Sequence, residues 1–184
     1  MASTPPAAPG TSTPGTSTPG ESTSGASIDP RALRTALGAY GTGVAIVTAL
    51  DAGGQPVGMT INSLAAVSLD PPLVLWSVQL DTPSASAFRQ ARHFALSILA
   101  ADQETIARQF ARTDSDKFSG IATTPGSADV PLIDGAVVHF ECEAWACYPG
   151  GDHEIIVGKV TRLASRPGPT LGFHRGRFTT LADA

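Results

Sequence analysis

Few residue types in this chain could do chemistry. Among its 184 residues are two cysteines, four histidines and 12 lysines and arginines, and the only lysines are Lys117 and Lys159. Cys142 and Cys147 lack the Cys-x-x-Cys spacing, and no further cysteine completes a zinc set. On one strand their gap of five puts them on opposite faces. They read as free thiols, and no metal site is expected. Hydroxyls gather at Ser77, Thr82, Ser84 and Ser86, at a strand end and the start of an expected helix. There, with free backbone N–H groups, they can hold an anion without lysine. Gly151-Asp152-His153 sets an imidazole beside a carboxylate at a turn. A histidine at the start of a strand, taken alone, is more often structural than catalytic. Gly41-Thr42-Gly43 lacks the third glycine of a dinucleotide fingerprint and precedes a strand instead of a helix. The chain has no P-loop.

The elements that would position these residues follow from the periodicity. Asp29-Pro30 reads as an N-cap with proline at the first helical position, opening a helix to about Ala39 with Leu33 and Leu37 on one face. Strands are expected over 44–50 and 57–61 across a turn at 51–54, then over 64–69 and 73–80. Pro71-Pro72 interrupts the ladder between the last two. A helix over 83–91, a strand over 94–99 and a helix over 102–110 follow, the last with Ile106, Ala107 and Phe110 on one side. Residues 112–135 read as loop-rich. Two long strands, 137–147 and 154–164, precede a short hairpin over 171–180 that turns near Arg175-Gly176. Many short strands with three helices argue a mainly β fold, a closed or nearly closed antiparallel barrel decorated by helices.

Composition narrows the class further. The chain is 42% hydrophobic and 15% charged, with a net charge of −4, enough for one domain with a core. No basic footprint suggests nucleic acid, and no apolar run approaches the ~20 residues of a membrane helix. The N-terminus lacks the pattern of a secretory leader, so a cytoplasmic location is expected. Residues 1–28 are rich in Ser, Thr, Pro, Gly and Ala, with TSTPG at 11–15 and again at 16–20. Such a segment cannot bury enough apolar area to offset its ordering entropy and is expected to be a disordered tail before a domain over 29–184.

Four segments together carry a family resemblance across that domain. They are Gly58-Met59-Thr60-Ile61-Asn62-Ser63 leading into Ser68-Leu69-Asp70-Pro71-Pro72; Ala101-Asp102-Gln103 with Phe110 and then Asp116-Lys117-Phe118; Gly151-Asp152-His153 before an aliphatic strand and Gly158; and Phe173-His174-Arg175-Gly176. The chain from Asp29 onward resembles the short-chain flavin reductases of two-component flavin-dependent monooxygenases. Their fold is the FMN-binding antiparallel split β-barrel, assembled as a homodimer.

The resemblance implies an NAD(P)H:flavin oxidoreductase that passes hydride from NADH to FAD or FMN and releases the reduced flavin to a partner monooxygenase. Met59, Thr60, Asn62 and Ser63 would lie along the ring and ribityl chain, with Ser68, Asp70 and Pro71 as the adjoining wall. Ser77, Thr82 and Ser84 would hold the flavin phosphate, with Lys117 and Phe118 nearby. His153 is the catalytic candidate, contacting the nicotinamide over the flavin; positioning, not proton transfer, would be its part. Phe173, His174 and Arg175 would complete the dinucleotide site. His93 and His139 match no motif and read as structural, and Trp76 and Trp145 as core or interface aromatics. The residues leave FMN and FAD, and NADH and NADPH, as open pairs. Two other readings remain: a pyridoxamine-phosphate-oxidase-like enzyme on the same barrel that keeps its flavin, and a non-enzymatic flavin-binding module. Scarce lysine weighs against the former.

Overall fold

The computed structural model describes residues 27–113 and 116–182. The expected tail over 1–28 lies almost wholly outside the described residues. In chain order the elements are α1 (Pro30–Leu37), β1 (Thr42–Gly43), β2 (Ala45–Leu50), β3 (Pro56–Ile61), β4 (Ala65–Leu69), β5 (Pro72–Gln79) and α2 (Ala85–Gln90). There follow β6 (His93–Ile98), α3 (Glu104–Phe110), β7 (Thr123–Pro125), β8 (Pro131–Ile133), β9 (Val138–Gly150), β10 (His153–Ser165), β11 (Thr170–His174) and β12 (Arg177–Leu181).

Strand β2 is buried on both faces, and its alternation sorts side chains between two cores. Ala45, Val47 and Ala49 point into one cluster with Trp76, Phe88, Phe94 and Ile156. Val44, just before the strand, and Ile46 point into a second with Phe110, Ile133 and Leu171. Trp76 is fully buried, edge-on to Phe88 at 5.1 Å and Phe94 at 5.9 Å, contacts worth about 0.5–1.5 kcal/mol each beyond area burial. Thr48, also buried, donates its hydroxyl to the Pro131 carbonyl at 2.6 Å, which removes the cost of a bare polar group.

Seven strands form one antiparallel sheet in the order β3-β2-β6-β9-β10-β5-β4. Its edges, β3 and β4, are consecutive in the chain. In a flat sheet, six interstrand steps of about 4.8 Å would set them about 29 Å apart. Only Asn62, Ser63 and Leu64 join them, a link that reaches at most about 14 Å. The sheet must therefore curl until its edges nearly meet. Closure by backbone hydrogen bonds, one form of the expected barrel, does not occur: the chain leaves the β3 ladder at Asn62 and re-enters on β5. A side chain spans the gap, with Ser63 Oγ accepting the Ser77 N–H at 3.0 Å. A separate three-stranded sheet, β1-β11-β12, covers the second core, and β7 pairs with β8.

The helices depart from expectation at their ends. Asp29 caps α1 through its carboxylate, 3.2 Å from the N–H groups of both Arg31 and Ala32. The helix stops at Leu37 with Gly38 as C-cap, and it buries no residue. Leu33 and Leu37 are exposed, so their shared face is not a core face within one chain. On α3, Ala107 and Phe110 are buried as expected. The hairpin β11–β12 turns at Arg175-Gly176, both with positive φ, 50° and 76°.

Candidate functional site

Three structural devices build a cleft at the mouth of the curled sheet. The first is edge strand β3 with the link after it, which presents Met59, Thr60, Asn62 and Ser63. The second is the end of β5, which presents Ser77 and Gln79 before the chain turns at Thr82. The third is the tight β9–β10 turn, where Gly151 adopts φ 77° and His153 starts β10 opposite Gln79. Leu80 N–H donates to the Asp152 carbonyl at 3.0 Å and pins this turn to β5. These residues line a cleft of about 480 Å³, within the range of ligand sites.

His153 is half-exposed in that cleft, its Nδ1 2.7 Å from the Asp152 carboxylate. That hydrogen bond holds the Asp152 carboxyl below the usual carboxylate range and leaves Nε2 as the free nitrogen. Two of the expected ligand hydroxyls are already engaged. Thr60 donates to the Ala107 carbonyl of α3 at 2.6 Å, and Ser63 bridges to Ser77. Their first task is to hold β3 against α3 and against β5. Thr60 and Ser63 therefore shape the wall rather than offer free donors.

A smaller cavity of about 230 Å³ adjoins the cleft at Thr82 and is lined also by Gly58, Ser84, Lys117 and Phe118. Ser84 Oγ is buried there without a partner. As the N-cap of α2 it makes no side-chain capping bond, so this buried hydroxyl has no partner within the described residues. Helix α2 spans only six residues, so it offers no long helix dipole here. Lys117 Nζ donates to the Gly58 carbonyl at 3.1 Å, and burial pulls its pKa below the ordinary lysine value. Gly58 must lack a side chain: a Cβ would stand 2.5 Å from a ring carbon of buried Phe110.

Not every expected site residue reaches this cleft within one chain. Ser68, Asp70 and Pro71 stand at the β4–β5 turn, where Ser68 Oγ accepts the Asp70 N–H at 3.2 Å. Phe173 packs on Phe178 at 5.4 Å, in the second core. Arg175 donates its N–H to the Gly38 carbonyl at 2.8 Å, and its side chain lines a separate cavity with Arg34. Sequence reasoning missed Gln79, Gly150 and Ile155, which share the His153 cleft. Their signal was the strand pairing that opposes the end of 73–80 to the Gly-Asp-His turn. Trp76 is a core residue, while Trp145 is exposed. Cys142 is buried and Cys147 exposed, both free. No cluster among the described residues has the makings of a metal site.

The cleft thus combines a strand wall and a positioned imidazole, and beside it lies a cavity lined by Ser84 and Lys117. Residues 37–182 match the flavin reductase like domain, and the chain belongs to that family. The chain is 46% identical over 148 residues to the NADH-dependent FMN reductase SmoA of Agrobacterium fabrum, covering 80% of this chain and 84% of that one. It is 40% identical over 154 residues to the reductase component of the flavin-dependent trigonelline monooxygenase of Acinetobacter baylyi, covering 84% of this chain and spanning 50% of that longer one. Among solved structures, the Streptomyces globisporus NADH:FAD oxidoreductase SgcE6, in complex with NAD and FAD fragments, superposes with a TM-score of 0.78. It is 39% identical, over 84% of this chain and 95% of that one.

Proposed function

We propose that this chain is an NADH-dependent flavin reductase that delivers reduced flavin to a separate monooxygenase. The observation that carries the proposal is one cleft in which His153, anchored by Asp152 at 2.7 Å, shares the lining with the β3 wall and which adjoins, at Thr82, a second cavity lined by Ser84 and Lys117. The reductase roles printed for SmoA and for the trigonelline monooxygenase component support it.

The bound pair supplies the chemistry, a hydride moving directly from nicotinamide C4 to flavin N5. The protein's part is placement. Met59 to Ser63 form the flat wall for the flavin ring. Ser77, Thr82 and Ser84 receive the ribityl phosphate with Lys117 near by. His153, held by Asp152, fixes the nicotinamide over the ring so that the two reacting atoms meet. No side chain needs to exchange a proton with the reacting atoms. A cleft open to solvent suits a ligand that must leave.

The working unit is a homodimer of split barrels. The open, curled sheet with edges joined by three residues fits such a barrel. Trp145, Tyr148 and Leu163 on β9 and β10 are exposed in the single chain, which fits a contact between two copies. Phe173, His174 and Arg175 do not reach the His153 cleft of their own chain, and they serve that of the partner. Residues 29–184 are the reductase domain; the location is cytoplasmic. No described helix is long and apolar enough to cross a membrane.

Purified protein mixed with NADH under air tests this. NADH loss that requires added FMN or FAD is expected. A yellow protein that consumes NADH slowly without added flavin would instead favour an oxidase keeping its flavin, and no turnover with either flavin would favour a binding module.

A further inference from the structure

Two short arms of chain meet at the His153 cleft. One runs from the end of β5 into α2, bringing Thr82 to the cleft and Ser84 to the neighbouring cavity. The other is the start of β10, which brings His153. Two ligands stacked between such arms react at a rate set by their alignment, and so by the spacing of the arms. The Leu80 N–H, donating to the Asp152 carbonyl at 3.0 Å, ties the arms at one point. Beyond Leu80 the chain turns away into α2, and a second tie must fix where that helix stands.

Phe88 holds α2 to the core, buried and edge-on to Trp76. Apolar contact is non-directional, so by itself it lets a helix of six residues turn or slide. The directional contact is an ion pair between Arg89, in the last turn of α2, and Glu154 on β10. Glu154 follows His153 in the strand, so its side chain points to the opposite sheet face, away from the cleft. Its side chain is 14% exposed, against 52% for the arginine, and the paired oxygen Oε2 has no other partner among the described residues. A fully exposed pair would hold geometry weakly. A carboxylate this buried cannot lose its counter-charge without a large penalty, so the pair stays closed. The path between the arms is short and stiff. It runs about 7.5 Å along α2 from Ser84 to Arg89, crosses the ion pair, and steps back one residue along β10 to His153.

We infer that Arg89 and Glu154 are a positioning pair, a strut between α2 and β10 that sets the distance from the Thr82–Ser84 arm to His153, and with it the alignment of the two ring systems bound there. The inference rests on the reductase proposal for that cleft. Neither residue touches a ligand. Without the strut each arm keeps its own groups, so each ligand alone binds as before, and what is lost is their register.

The test separates register from stability. Arg89→Met strands the buried carboxylate and should lower Tm; adding Glu154→Leu removes that carboxylate, and Tm should return toward wild type. The rate of flavin bleaching by saturating NADH, with oxygen excluded, should fall about tenfold in Arg89→Met and stay low in the double variant. The Kd of oxidised flavin alone, from fluorescence titration, should match wild type in both. Amide hydrogen exchange over residues 80–84 of the ligand-free protein should quicken in both. A bleaching rate that recovers together with Tm, or never falls, would make the pair structural only and overturn the inference. Weaker binding of flavin alone would overturn it too, by showing that the pair shapes one arm and not the spacing. If the double variant does not fold, Glu154→Asp decides, since it keeps both charges and shortens the strut by one methylene; a full bleaching rate there overturns the inference. Wild-type protein that bleaches no flavin offered would instead strike the reductase proposal itself.

Discussion

His153 and Cys142 show how much one position can carry. His153 gains its meaning from three fixed neighbours: Asp152 on Nδ1, Gln79 across the ladder and the β3 wall across the cleft. If it positions the nicotinamide, His153→Ala should raise the KM for NADH about tenfold, with the KM for flavin moving far less. An unchanged NADH dependence would remove His153 from the site. Cys142 has a different consequence. Burial pushes its thiol up to about 12 from 9.0. An acid whose pKa rises on folding gives stability that is complete below the unfolded value and is lost as pH climbs toward the folded one. The window is therefore about pH 9 to about pH 12, and the loss is at most about 1.4 kcal/mol per pH unit. Denaturant melts at about pH 8 and about pH 10.5 should show wild type losing more stability than Cys142→Ala. Equal losses would mean that the thiol ionises freely in the folded chain.

At the scale of elements, β3 matters most, because both cavities stand on it. Its place depends on the absence of a side chain at residue 58, where a Cβ would stand 2.5 Å and 2.9 Å from two ring carbons of Phe110. Phe110 is fully buried and cannot turn aside. Gly58→Ala should cost roughly 1–3 kcal/mol, seen as a fall in Tm of several degrees, together with weaker flavin binding. An unchanged Tm would show that β3 moves freely over α3. Strands such as β2, β5, β9 and β10 were legible because β-branched and aromatic runs mark a pleated surface whatever they pair with. The short β1, β7 and β8 were not, since two or three residues carry no period and their partners lie far along the chain. Helix α1 was legible in its Asp29-Pro30 start but not in its role, because Leu33 and Leu37 form an apolar face that the single chain leaves exposed. In the cleft, motifs pointed to Met59–Ser63 and His153. Gln79 and Gly150 were invisible because only the register of β5, β9 and β10 brings them there. The motif puts Thr60 and Ser63 along the ligand, and only the tertiary structure shows their hydroxyls engaged within the protein.

At the scale of the whole molecule, the proposed dimer would cover the exposed Trp145, Tyr148 and Leu163 and give the Phe173–Arg175 segment a place at the partner's cleft. Sedimentation should find two chains per particle. Trp145→Glu, which sets a charge into the proposed contact, should shift the protein toward single chains and lower reductase turnover with it. A wild-type protein that sediments as one chain at full turnover would refute the dimer. The curled, open sheet places the His153 cleft at its mouth, where the proposed flavin could enter and leave, and this makes delivery the central claim. It is tested most directly by mixing the protein with NADH and FAD without oxygen and passing the mixture through a membrane that retains protein. Reduced flavin should appear in the filtrate, in amounts well above the protein present and only when NADH is supplied. Flavin that stays oxidised, or reduced flavin retained with the protein one-to-one, would contradict a reductase built to release its product.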